Sequence, residues 1–127
     1  MSDLPKILLV EDDESVRQAI ADLLSSEAEV ITAADGEECL DKLESTEFDA
    51  VLLDILLPKK SGISVLREIR EKYPNTPVAV ITGYTNLVEQ EIREIGVDWI
   101  ISKPFDYEEL KSAVLNLLAR RRRERES

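Results

Sequence analysis

The stretch Ala50-Val51-Leu52-Leu53-Asp54-Ile55-Leu56-Leu57-Pro58 decides how the rest of the chain reads. An apolar run that short, closed by the loop Pro58-Lys59-Lys60-Ser61-Gly62, has the pattern of a strand buried on both faces. Asp54 would then sit at the strand's carboxyl end. Three other runs end in comparable groups: Ile7-Leu8-Leu9-Val10 leads into Glu11-Asp12-Asp13, Val78-Ala79-Val80-Ile81 into Thr82, and Trp99-Ile100-Ile101-Ser102 into Lys103-Pro104. The carboxyl ends of parallel strands share one edge of the sheet, where open α/β sheets place their ligands. Acids, a hydroxyl and an amine from distant segments therefore converge on Asp54, and the pattern points to a site that puts charge on a carboxylate.

Outward from this run, β-branched segments alternate with stretches of helical period. Strands are expected over Lys6 to Val10, Val30 to Ala33, Phe48 to Leu53, Val78 to Ile81 and Trp99 to Ser102. Between them, Val16, Ile20, Leu23 and Leu24 form one helical face, and Cys39, Leu40 and Leu43 a second, on a helix over Gly36 to Leu43 entered through the turn Asp35-Gly36. Ile63, Leu66, Ile69 and Tyr73 form a third, stopped by Tyr73-Pro74-Asn75-Thr76-Pro77. A short helix through Val88, Ile92 and Ile95 ends at Gly96, and a last one starts near Tyr107 with Leu110, Ala113, Val114, Leu117 and Leu118 inward. Five β/α units in succession predict a parallel sheet with helices on both faces.

The 127 residues suit one domain, at 43% hydrophobic a globular one. A net charge of −11 disfavours direct nucleic-acid binding and contact with an anionic membrane. Cys39 is the only cysteine, so no internal disulfide can form, and a buried helical thiol is expected. No histidine is present, which argues against a zinc site, whereas the carboxylates suit a hard cation such as Mg²⁺. No long apolar stretch suggests a signal peptide or membrane span, and the expected location is the cytoplasm. The run Arg120-Arg121-Arg122-Arg123-Glu124-Arg125 reads as the frayed, solvated end of the last helix, with a nucleic-acid contact or the start of a linker as the alternatives.

Each group has a plainer reading when taken alone. Glu11-Asp12-Asp13-Glu14 could be an acidic helix start, Asp54 a loop cap, Thr82 a β-branched strand residue and Lys103 a surface lysine. Their joint occurrence at the same end of four strands favours a site. Crowded carboxylates raise one another's proton affinity unless a cation compensates them, and Mg²⁺ and Lys103 are natural compensating charges.

At this point the chain resembles a known family over residues 5 to 119. Ile7 to Glu14, Asp35-Gly36, Asp54 to Pro58, Ser61-Gly62, Thr82-Gly83 and Lys103-Pro104-Phe105 are similar, in order, to the motifs of the receiver domain of two-component response regulators. The resemblance implies a flavodoxin-like (βα)5 fold, a doubly wound parallel sheet of strand order 2-1-3-4-5, with residues 120–127 as a basic tail. It implies a phosphorelay phosphoprotein with Asp54 as phosphoacceptor and Mg²⁺ (or Mn²⁺) held by Glu11, Asp12, Asp54 and the main-chain carbonyl of Leu56. Glu11 and Asp12 match the family's acidic pair because Arg17 falls six residues after Glu11; Asp13 is the rival. Thr82 and Lys103 would bind the phosphoryl group, Gly83 would leave space beside Thr82, and Pro104 is a cis-proline candidate.

The implied role is that of a phosphoacceptor domain assisting its own aspartyl phosphorylation and dephosphorylation, not that of a turnover enzyme. The implied donor is a sensor histidine kinase, a histidine phosphotransfer protein or a small acyl phosphate; the implied recipient is an effector protein or an effector domain of a longer chain. A phosphorylation-dependent homodimer is left open, but Ala113 stands four residues after Glu109 where the winged-helix-linked subgroup often has arginine, so that subgroup's ion-paired dimer face is not carried over. Ile100 departs from the family, many of whose members carry an aromatic switch residue there; here the ring is one place earlier, at Trp99, which points to the opposite face of the strand. Trp99 is then either packed under a helix or part of a partner-binding face. Two rivals remain: a Mg²⁺-dependent phosphohydrolase using Asp54, which such enzymes would follow two places on with an aspartate where this chain has Leu56, and an unphosphorylated docking domain.

Overall fold

In the computed structural model, which describes residues 4–83 and 86–126, the strands are β1 (Lys6–Val10), β2 (Glu29–Ala33), β3 (Ala50–Asp54), β4 (Val78–Thr82) and β5 (Trp99–Ser102). The helices are α1 (Glu14–Leu24), α2 (Gly36–Ser45), α3 (Gly62–Lys72), α4 (Asn86–Ile95) and α5 (Tyr107–Glu126). All strand pairs are parallel, in the order β2-β1-β3-β4-β5. This is the flavodoxin-like α/β fold. Strand β3 starts at Ala50, with Phe48 buried just ahead of it rather than inside it.

The sheet separates two apolar layers. Leu8, Val10, Val51, Leu53 and Val80 pack with Cys39 and Leu43 of α2, Val65, Leu66 and Ile69 of α3 and Ile92 of α4. Ile7, Leu9, Leu52, Ala79 and Ile101 pack on the other side with Ile20 and Leu24 of α1 and Leu110, Ala113, Val114 and Leu117 of α5. Strands β3 and β4 are buried at every position, as central parallel strands are when helices cover both faces. Burial pushes the Cys39 thiol up to about 12, with the Asp35 carboxylate adding to it.

Helix starts and close approaches fix the loops at the carboxyl edge. Asp13, Asp35 and Ser61 each cap a helix, their side chains accepting from the N–H of Val16, Glu38 and Ser64. Gly62 is required by contact: a Cβ there would stand 2.3 Å from the carbonyl oxygen of Ile55, so only glycine lets α3 start against the end of β3.

At the opposite edge Arg70 of α3 donates to the carbonyl oxygens of Gly96 (2.7 Å) and Thr76 (2.8 Å) and to the Asp98 carboxylate (2.9 Å). The basic stretch of α5 is exposed at Arg120, Arg122 and Arg123, as a solvated end would be, but it stays helical to Glu126 and is anchored at two points. Arg120 lies 3.3 Å from Asp98, while Arg121 lies 3.3 Å from Glu47 and donates to the carbonyl of Asn75 at 3.0 Å, so the helix continues through residue 120 with two of its arginines docked.

Candidate phosphoacceptor site

Strand register brings the site together. Val10 pairs with Leu53, Asp54 with Ile81 and Thr82 with Ser102, so the residues following β1, β3, β4 and β5 meet at one edge. Asp54 is 2% exposed, the last residue of the most central strand. Its Oδ1 accepts from the N–H of Leu56 at 2.9 Å and its Oδ2 from Lys103 Nζ at 2.9 Å. A buried carboxylate needs such donors, and this one has a different donor on each oxygen.

Glu11, Asp12 and Asp54 bring carboxylate oxygens within 4.8 Å of one another. Burial, then the hydrogen bond and charge of Asp54, push the Glu11 carboxyl up to about 8. The donors are all oxygen, and their crowding is relieved by a proton or a cation, so the residues fit a hard divalent ion. Asp13 turns away: its Oδ1 caps α1 at 3.1 Å from the Val16 nitrogen, while its own N–H donates to Glu11 Oε2 at 3.1 Å. Burial opposes the charge on Lys103, yet Asp54, helped by Glu11 and Asp12, outweighs it and the ammonium's pKa is raised.

Thr82 is buried at the end of β4, and together with Asp54, Leu56, Gly83 and Lys103 it lines a cavity of about 150 Å³. A Cβ at Gly83 would sit 3.5 Å from Lys103 Cβ, in ordinary contact, so the space it leaves is small and borders the lysine stem. The Lys103-Pro104 peptide bond is cis. A wider groove of about 690 Å³ runs from Glu11, Asp12 and Leu56 to Val16, Phe105 and Tyr107. Residues 84 and 85, which follow Gly83, lie outside the described residues.

Trp99 is 38% exposed on the edge strand, which rules out the reading that buries it under a helix. Ile100 packs instead on the layer shared with α3 and α4. Two contacts were not legible in residue patterns. Lys59, in a left-handed conformation (φ 67°), reaches Asp35 at 3.3 Å and ties the β3–α3 loop to α2, and Arg17 donates to the backbone that carries the acid pair.

A five-stranded sheet of this order, with carboxylates and a lysine gathered beyond its central strands, defines a class of α/β signalling module. The chain belongs to the response regulator receiver domain family, which matches residues 7–115. It is 44% identical over 116 residues to the transcriptional regulatory protein CiaR of Streptococcus pneumoniae, covering 91% of this chain and 52% of that protein. Against the transcriptional regulatory protein CpxR of Escherichia coli it is 38% identical over 117 residues, covering 91% and 50%. A response regulator receiver domain protein (CheY-like) from Methanospirillum hungatei superimposes with a TM-score of 0.89 at 30% identity, covering 96% of this chain and 99% of that one. The chain spans about half the length of the curated relatives it matches.

Proposed function

We propose that Asp54 accepts a phosphoryl group from a phosphohistidine of a separate sensor kinase or phosphotransfer protein, and that the resulting acyl phosphate changes the domain's affinity for an effector. The observation that carries this reading is the placement of Asp54: a buried carboxylate held by one donor on each oxygen, with two further acids within metal-ligand reach. An Asp54 oxygen bonds to phosphorus as the P–N bond of the donor breaks, and the departing imidazole recovers its proton from solvent. These 127 residues hold no histidine, so the receiver itself does not supply the phosphohistidine.

Phosphoryl transfer spreads charge over the phosphoryl oxygens, so positioning and compensating charge supply most of the catalysis. Glu11, Asp12 and Asp54, with the carbonyl of Leu56, would hold Mg²⁺ (or Mn²⁺), which neutralises charge on the transferring group. Lys103 moves its ammonium from Asp54 Oδ2 to a phosphoryl oxygen, and the Thr82 hydroxyl donates to another. The effector is a protein or an attached segment outside the receiver, in keeping with relatives about twice as long that are transcriptional regulators.

Intact-mass measurement with acetyl phosphate and Mg²⁺ tests the reading. One phosphoryl group should be added to the wild type and none to Asp54→Asn, which should remain folded. Peptide mapping of the phosphate to Asp12 or Asp13 overturns the assignment. Steady hydrolysis of many phosphate esters would instead identify a phosphohydrolase.

A further inference from the structure

We infer that Arg17 is a positioning residue for the acid pair, acting on the main chain that carries Glu11 and Asp12 and thereby setting the site's affinity for a divalent cation. The inference rests on the cation-assisted reading given above and extends it to a residue that touches neither the carboxylates nor the phosphoryl cavity.

Its basis is how the loop between β1 and α1 is held. Strand pairing of β1 ends at Val10, opposite Ala33 on one side and Leu53 on the other. The N–H of Glu11 still reaches the carbonyl of Ala33 at 3.0 Å, but the carbonyl groups of Glu11 and Asp12 lie beyond the ladder. Arg17, one turn into α1, folds back toward the helix start as helical side chains do. Its Nη1 donates to the carbonyl oxygen of Glu11 at 2.9 Å and approaches that of Asp12 at 3.5 Å. The peptide bearing the two acids is therefore fixed on three sides: Glu11 N–H by β2, Glu11 Oε2 by the N–H of Asp13, and the carbonyl by Arg17.

Neither helix stability nor charge pairing accounts for this arginine. A cation near the start of a helix runs against the macrodipole. Among the described residues no ion pair includes Arg17, although four acids, Glu11 to Glu14, stand three to six residues before it. Its guanidinium is committed to backbone oxygen, and what that backbone carries is the acid pair.

Charge and positioning predict opposite signs. Removing a positive charge beside a cation site strengthens Mg²⁺ binding if charge is all that matters, whereas freeing the backbone of Glu11 and Asp12 weakens it. The test is a Mg²⁺ titration of the whole chain, without phosphodonor, followed by amide chemical shifts and calorimetry. Arg17→Met keeps the apolar stem and removes the donor, and Arg17→Ala serves as a second variant should Met disturb folding. Either should weaken Mg²⁺ binding about tenfold, the lower end of what losing a supporting contact behind a metal ligand costs. Arg17→Lys, which can replace the single Nη1 donor, should recover part of the loss. Unchanged or tighter Mg²⁺ binding in the folded neutral variants overturns the inference and leaves the proposed function standing. Absence of Mg²⁺ binding by the wild type overturns both.

Discussion

Lys103 Nζ and Asp54 Oδ2 lie 2.9 Å apart across 49 residues of sequence, with the carboxylate 2% exposed and the lysine side chain 38% exposed. The pair is asymmetric: the acid is committed to the interior, while the ammonium stands at its mouth and is free to follow a new anion. Lys103→Ala should therefore lower the stability of the metal-free protein by about 1–3 kcal/mol, the cost of leaving a buried acceptor short of its partner. With one positive charge fewer, Mg²⁺ should raise the melting temperature more than in the wild type. Thermal melts with and without Mg²⁺ measure both effects, and equal gains in the two proteins would show that lysine and cation do not share the Asp54 charge.

Asp12 and Asp13 are neighbours with separate predicted fates. Asp12 shares a 4.8 Å cluster with Glu11 and Asp54, whereas Asp13 caps α1. Asp12→Ala should remove most of the Mg²⁺-dependent rise in melting temperature. Asp13→Ala should keep that rise but lose about 1 kcal/mol of stability through the missing cap. Loss of the Mg²⁺ response in Asp13→Ala with retention in Asp12→Ala would reverse the two roles.

Thr82 and Ile100 separate switching from stability. Thr82 lines the cavity beside Asp54 and Lys103, and Ile100, on the next strand, packs toward α3 and α4 without an aromatic ring to move. Thr82→Ala should accept a phosphoryl group yet lose most of the beryllofluoride-induced amide shifts in α4. Ile100→Ala should cost about 2 kcal/mol in urea denaturation, as removal of partly buried methyl groups does, and keep those shifts. Shifts that survive Thr82→Ala but vanish in Ile100→Ala would place the route through the strand instead.

Deleting residues 120–127 removes the Arg120–Asp98 and Arg121–Glu47 pairs. Ion pairs with solvent access contribute little, so the loss should be about 1 kcal/mol, read from chemical denaturation. Phosphorylation of Asp54, at the far edge of the sheet, should be unchanged. Salt-sensitive DNA binding that disappears with the deletion would show that the arginines serve a nucleic-acid contact.

Much of this molecule was legible because two regularities connect sequence to space. Apolar runs such as Ile7 to Val10 and Val51 to Leu53 had to be strands covered on both faces, and parallel strands put their carboxyl ends together, so Glu11, Asp54, Thr82 and Lys103 were brought to one edge by topology alone. Periodicity reports which face is buried; it is silent on where a loop side chain turns or which distant oxygen a long side chain reaches. The separation of Asp12 from Asp13 therefore depended on the path of the β1–α1 loop, and the exposure of Trp99 on its place in an edge strand. The spacing of Arg17 from Glu11 stood in the sequence, but its hold on the acid-bearing backbone depended on the path of the same loop, while the docking of Arg120 and Arg121 on groups 22 to 74 residues away exists only once the helices have packed, because hydrogen bonds of that kind are selected by tertiary distance and leave no period in the chain.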